Sequence, residues 1–178
     1  NSGKWRTTGQ IEFKNLTFSY PNTNKIVLNN ISMRIEPGSR VAVVGSIGSG
    51  KSSLLSLIPR LYPAPRGSLF IDGVDVNDWK LSELRDQIGF VSQDTFLFSE
   101  TVFENVSLGL FDWVQQDRES AVMDATQRAS VHSEILKLDK TYQTEIGERG
   151  VNVSGGQRQR LTMARAFAKE PSILILDD

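Results

Sequence analysis

Residues 41–58 read VAVVGSIGSGKSSLLSLI. Val41–Val44 is continuously apolar, the pattern of a strand buried on both faces. Gly45–Ser52, GSIGSGKS, fits the spacing G-x-x-x-x-G-K-[ST]. A helical pattern then runs through Leu54, Leu55 and Ile58 and closes at Pro59. Strand, glycine loop and helix in that order form the context such a loop needs to hold phosphate. Backbone N–H groups must converge on the phosphate oxygens, and glycine permits the tight wrap. Gly45, Ser46, Ile47, Gly48, Ser49 and Gly50 are therefore candidate cradle residues. Lys51 can reach the β and γ phosphates as a point charge, and Ser52 can offer its hydroxyl to Mg²⁺. Ser53 continues into the helix, whose N-terminus near Gly50 aims its dipole at the anion. A Gly/Ser turn without a ligand is the plainer alternative, and the flanking strand and helix argue against it.

The chain closes on ILILDD, residues 173–178. ILIL reads as a second buried strand, and buried strands joined through helices imply an α/β core with a largely parallel central sheet. A phosphate-binding loop needs a Mg²⁺ ligand from a neighbouring strand, an Asp after an apolar run. Asp177 fits that role. Seen without the loop, the two acids would equally suit a solvated strand end.

Between these strands the pattern is mixed. In IEFKNLTFSY, Ile11 and Phe13 alternate, then Leu16, Phe18 and Tyr20 alternate in the other phase. The slip at Lys14–Asn15 predicts a bulge or a break. ISMRIE alternates through Ile31, Met33 and Ile35, and Pro37–Ser39 turns the chain. SLFIDG and IGFVSQ read as short strands. From about Thr101 to Leu138 the pattern is helical, with Ala121, Val122, Ala125 and Ala129 on one face. Another helix after SGG carries Leu161, Ala164, Phe167 and Ala168.

Composition removes several classes. The formal net charge is −1, so nothing in the composition suggests a generic nucleic-acid binder. There is no cysteine, which excludes disulfides and thiolate metal sites. No apolar run reaches the roughly 18 to 20 residues needed to cross a bilayer. NSGKWRTTGQ lacks a signal-peptide core.

Val153–Arg160, VSGGQRQR, resembles the signature sequence of the ATP-binding-cassette (ABC) ATPases. Other segments resemble that family in its own order. Tyr20 in FSYP is similar to the aromatic that stacks on adenine, and GSIGSGKS to Walker A. Gln93 in VSQDTFLF is similar to the Q-loop glutamine, which touches Mg²⁺ and faces the transmembrane partner. GERG, residues 147–150, resembles the X-loop of exporters, and ILILD resembles Walker B. The resemblance implies an ABC ATPase fold: a P-loop NTPase core with a mainly parallel sheet, an N-terminal antiparallel β subdomain and a helical insertion. It places the ATP-binding core at 1–93 and 151–178 and the helical subdomain at 94–150. It implies ATP and Mg²⁺, with Ser52, Gln93 and Asp177 on the metal.

The signature has its own physical reading. Ser154 followed by Gln157 is a capping box at a helix start, and Gly155 and Gly156 expose backbone N–H groups. In the family two such domains pair head to tail, and each signature closes over the other's ATP. A capped helix without a ligand is the plainer reading. TFLFSETVFENV with GERG resembles exporters, and LIPRLY with ILILDD resembles one half of heterodimeric bacterial multidrug exporters. LFSETVFENV is then the expected contact surface for the transmembrane part, against simple core packing by Phe96, Phe98 and Phe103.

Two positions depart from the family. The residue after the Walker B aspartate is usually a glutamate that polarises the attacking water; here it is Asp178. Its carboxylate would sit roughly 1 to 1.5 Å further back, and misplacement on that scale can cost about a hundredfold in rate. The catalytic set implied is Lys51, Gln93 and Asp178, with a slow site. The family's D-loop, switch histidine and last helices would follow Asp178, so the domain is expected to be incomplete. His132, the single histidine, precedes the signature and reads as a solvated residue on a helical segment.

The expected partners are a second nucleotide-binding domain, in a heterodimer, and a transmembrane domain fused upstream, at the cytoplasmic face of a membrane. Trp5 and its basic neighbours would be linker, and Asn1–Gly3 a disordered start. No nucleic acid is expected. A regulatory module with negligible turnover is one alternative, favoured by Asp178. A soluble ABC ATPase not linked to transport is another; it usually carries long coiled-coil insertions or two cassettes, and neither is visible.

Overall fold

A computed structural model describes residues 6–110, 117–147 and 153–177. Residues 1–5, 111–116 and 148–152, together with Asp178, lie outside the described residues. The chain divides into two compact units, Asn1–Ile88 and Gly89–Asp178, and each is described by itself.

The first unit is built on an antiparallel sheet in the order β2-β1-β3-β4. Its strands are β1 (Ile11–Ser19), β2 (Ile26–Ile35), β3 (Leu69–Ile71) and β4 (Val74–Asp75). The phase slip read at Lys14–Asn15 is a register shift between Phe13 and Leu16, with Asn15 in the left-handed region at φ 47°. The extra residue lets Ile11, Phe13, Leu16 and Phe18 all face the core. Ser39 N–H donates to Glu36 O across the Pro37–Gly38 turn. β3 and β4 are joined through Asp72 and Gly73, both at positive φ, the geometry of a tight hairpin. Helix α1 (Lys51–Leu57) buries Leu54 and Leu57, and α2 (Leu81–Asp86) buries Leu84.

Val41–Val44 departs from its expectation. It forms no strand and is exposed, Val44 to 89%. A strand buried on both faces needs a hydrogen-bonded neighbour and a layer on each side. Among the described residues no strand pairs with this segment.

In the second unit β5 (Ile88–Val91) and β6 (Ile173–Leu176) form a two-stranded sheet. Asp177 N–H, just past the end of β6, donates to Val91 O at the end of β5, so the strands run parallel. β6 also departs from expectation, because one face alone is covered. Ile173 and Ile175 are buried, whereas Leu174 is 43% exposed. Gly89 lets the layers close, since a Cβ there would lie 2.8 Å from Pro171 Cγ and 3.2 Å from Ala166 O.

The helices of this unit are α3 (Val102–Ser107), α4 (Arg118–Arg128), α5 (His132–Ile135) and α6 (Gly155–Ala168). They share one hydrophobic core, in which Val106, Val122, Ala125, Ile135, Leu161 and Ala164 meet. Helix α6, placed by resemblance in the ATP-binding core, thus packs its apolar face on the helices of the insertion. No helix among the described residues is long and apolar enough to cross a membrane.

Candidate functional site

The glycine loop lies in the first unit. Gly48 (φ 79°) and Gly50 (φ 92°) are left-handed, and Gly50 caps α1. These angles are open to glycine without the Cβ clash that other residues incur. A Cβ on Gly45 would lie 2.7 Å from Ser49 Oγ, and one on Gly50 would lie 2.8 Å from Leu28 Cδ2 and 3.1 Å from Val27 O. Residues 45–49 are exposed. Lys51 Nζ folds over the loop and donates to Gly45 O (2.9 Å) and Ser46 O (3.0 Å). The ammonium therefore sits beside the loop backbone, where a phosphate cradle needs its positive charge. Ser52 is exposed on the first turn of α1, and Ser53 is buried.

Tyr20, one residue beyond β1, meets this helix directly. Its hydroxyl is 2.8 Å from Ser53 Oγ. Its ring packs edge-on against Phe18 (5.2 Å between centroids) and Tyr62 (4.9 Å). Tyr62 was not singled out by the sequence. It follows α1 beyond Arg60, which turns the chain at φ 51°, so no periodicity points to it.

The second unit holds the other site residues. Asp177 and Gln93 follow β6 and β5, and the Asp177 N–H to Val91 O bond (2.9 Å) sets the two strand ends side by side. In open α/β sheets ligands bind at the carboxyl ends of strands. Gln93 is exposed and Asp177 half-buried. Among the described residues no group of three His, Cys, Asp or Glu could hold a metal. Within this unit Gln93 and Asp177 bring a neutral amide oxygen and a carboxylate to the two strand ends, donor types that suit a hard cation.

The capping box is present in full. Gln157 N–H donates to Ser154 Oγ (3.2 Å) and Ser154 N–H donates to Gln157 Oε1 (2.9 Å). Ser154, Gly155 and Gly156 are exposed at the N-terminus of α6, and a Cβ on Gly155 would meet open space.

Phe96 and Phe98 are exposed, to 63% and 46%, and pack edge-to-face at 4.9 Å. Phe103 is half-buried against the helical core, so the three aromatics have two different roles. Of GERG, Gly147 alone is described; at φ 101° it approaches Ser99, which a Cβ would touch at 3.0 Å.

His132 corrects an expectation. It is half-buried at the start of α5, and its Nδ1 is 2.7 Å from the Tyr142 hydroxyl, which also meets Thr126 Oγ1. A buried phenol needs partners, and two neighbouring helices supply them. Burial pushes the Tyr142 pKa up, with the Thr126 hydrogen bond opposing.

Residues 28–178 match the ABC transporter family. The chain belongs to that family. This ABC chain is 44% identical over 170 residues to YgaD of Bacillus subtilis, named as a multidrug export ATP-binding/permease protein, covering 96% of this chain and 29% of that one. It is 44% identical over 177 residues to YfiB of the same organism, named as an ABC transporter ATP-binding protein, covering 97% and 30%. A Staphylococcus aureus multidrug export ATP-binding/permease protein is 44% identical over 170 residues, covering 96% and 29%. The structure of a bacterial Atm1-family ABC exporter with ATP bound superposes with a TM-score of 0.85 at 36% identity, covering 95% of this chain and 29% of that one. The ABC chain thus has the fold of the family's ATPase domain and spans about three-tenths of the length of the curated relatives it matches.

Proposed function

We propose that this chain is the ATP-binding and ATP-hydrolysing domain of an ABC exporter. What carries the reading is the glycine loop with Lys51 held over it, joined through Ser53 to the Tyr20 ring. That arrangement offers a cation and backbone amides for phosphates at one end, and an aromatic ring for a base at the other. Gly45–Gly50 wrap the phosphates, Lys51 neutralises charge that develops on the transferring group, and Tyr20 stacks on adenine. Ser52, Gln93 and Asp177 would hold Mg²⁺, which when bound draws the phosphate oxygens together and screens their charge. Ser154, Gly155, Gly156 and Gln157 close over the ATP of a second nucleotide-binding domain.

Residues 94–150 are assigned as the helical subdomain and 1–93 with 151–178 as the ATP-binding core. The exposed Phe96–Phe98 pair docks on a membrane-spanning part. The occupant is the remainder of the same polypeptide, because the permease-bearing relatives are more than three times as long as this chain. On this reading the domain works at the cytoplasmic face of a membrane.

Asp178, where the family has glutamate, supports a slow site in this chain and a heterodimer whose other half supplies the glutamate. It equally favours a regulatory module. Steady-state ATP hydrolysis by the full-length transporter decides. Asp178→Glu is expected to raise the turnover of this site by about a hundredfold. No gain would end the slow-site reading and favour a symmetric homodimer.

A further inference from the structure

The segment between β5 and α3 has no regular structure, yet it carries the exposed aromatic pair. Its pose is fixed by two side chains. Asn105 on α3 is buried, and its Oδ1 accepts from Phe98 N–H (2.8 Å). Its Nδ2 donates to Phe98 O (3.0 Å) and Thr101 O (3.0 Å). Arg165 on α6 closes the hub from the other side. Its Nε donates to Asn105 O (2.8 Å), Nη2 to Asn105 Oδ1 (2.9 Å) and Nη1 to Phe96 O (3.1 Å). The guanidinium carbon also lies 5.6 Å from the Phe98 ring centroid.

The guanidinium fork suits this task where an ammonium would not. It is planar and directs donors to separate acceptors while stacking on a ring. Its desolvation is offset by those acceptors. The turn that follows α3 also lies close against α6, since a Cβ on Gly109 would collide with Arg165 O. The far edge of the segment is bound to residues 144–146 by Val102 N–H to Thr144 O and Ile146 N–H to Glu100 O, both 3.0 Å. Both aromatic rings are thereby turned outward on a backbone that α6 holds.

We propose that Arg165 is a positioning residue: with Asn105 it fixes the Phe96–Phe98 surface to α6, so that this surface moves with the helix whose first turn carries Ser154–Gln157. The inference rests on the docking role assigned above to Phe96 and Phe98. A turn of α6 at its signature end then reaches the membrane-spanning part through a defined set of hydrogen bonds.

The test uses the full-length transporter in lipid nanodiscs. Arg165→Lys keeps the charge and loses the fork. It is expected to lower kcat for ATP hydrolysis by about tenfold, within the range for small misplacements, and to leave KM for ATP unchanged. Phe98→Ala should show the same split, and the double variant should be no worse than the worse single, because both act through one segment. Amide exchange over residues 96–101 should quicken in Arg165→Lys while that of the first turn of α6 stays the same. Asn105→Asp keeps the acceptor for Arg165 but sets a carboxylate oxygen against Phe98 O and Thr101 O, and should also quicken exchange over residues 96–101. Wild-type kcat in Arg165→Lys, additive losses in the double variant, or unchanged exchange at 96–101 would overturn the inference. Wild-type turnover in Phe98→Ala would instead remove the docking reading; quicker exchange in Arg165→Lys would then still establish the positioning, and unchanged exchange would overturn it.

Discussion

The hydroxyl groups of Tyr20 and Ser53 lie 2.8 Å apart, so the aromatic at the end of β1 is tied to the first turn of the helix that follows the glycine loop. Tyr20→Phe removes this bond and keeps the ring. A net hydrogen bond is worth about 0.5–1.5 kcal/mol, an upper bound on what its loss passes on to binding, so ATP affinity should fall by no more than roughly tenfold. Tyr20→Ala also removes the ring and should cost more. Calorimetric titration with Mg-ATP checks the order, and a Tyr20→Phe loss as large as that of Tyr20→Ala would refute base stacking on this ring.

The two left-handed glycines separate strain from crowding. Gly48 has nothing within 4 Å of a would-be Cβ, so Gly48→Ala should cost only the left-handed penalty, roughly 1 kcal/mol. Gly50→Ala adds a close approach to the Val27 carbonyl, which is backbone and yields little, and overpacking adds about 1–3 kcal/mol. Thermal unfolding should rank Gly50→Ala clearly below Gly48→Ala, and equal shifts would contradict the packing described.

Local signals in the sequence carried through to the structure. The phase slip became the Asn15 bulge, and Ser154 with Gln157 became a complete capping box, because both are decided by residues a few positions apart. The expectations that depended on distant neighbours fared differently. Val41–Val44 and ILIL have the same apolar content as strands buried on both faces, but burial depends on what pairs with and covers them, which the segments do not encode. The Tyr142 partner of His132 and the Tyr62 partner of Tyr20 are side-chain meetings across elements, with no periodicity to announce them. The sharing of one core between α6 and the insertion helices is of the same kind.

Ser154→Ala removes one half of the capping box, a loss of about 1 kcal/mol at a helix start. Amide exchange in the first turn of α6 should quicken. Under head-to-tail pairing, hydrolysis at the partner domain's site should fall while nucleotide affinity at this chain's own loop stays the same. Loss of binding at the loop of this chain would contradict that pairing.

Asp72 ties the entering segment to the β3–β4 hairpin. It accepts from Thr7 Oγ1, Thr8 N–H and Thr8 Oγ1, each at 2.6 Å, and from Gln10 N–H at 3.0 Å. Burial raises its pKa, but these hydrogen bonds outweigh burial and leave the carboxyl below its ordinary value. A group depressed in the folded state adds stability that is fully present above its unfolded pKa, near 3.9, and lost as pH falls through the folded value. Asp72→Asn should therefore destabilise at pH 7, by on the order of 1 kcal/mol for a partly solvated carboxylate. The gap to wild type should close below about pH 4. A gap that widens on acidification would contradict this assignment.

The most direct test of the account is equilibrium binding of Mg-ATP and of adenosine to the full-length protein, with Lys51 intact and as Lys51→Ala. The account predicts that Lys51→Ala weakens ATP by at least about tenfold, the scale of one charge-assisted contact of about 1.5–3 kcal/mol, and leaves adenosine unchanged. Equal affinity of both proteins for ATP would mean that the loop at residues 45–52 does not hold the phosphates, and the nucleotide site assigned to this chain would fall with it.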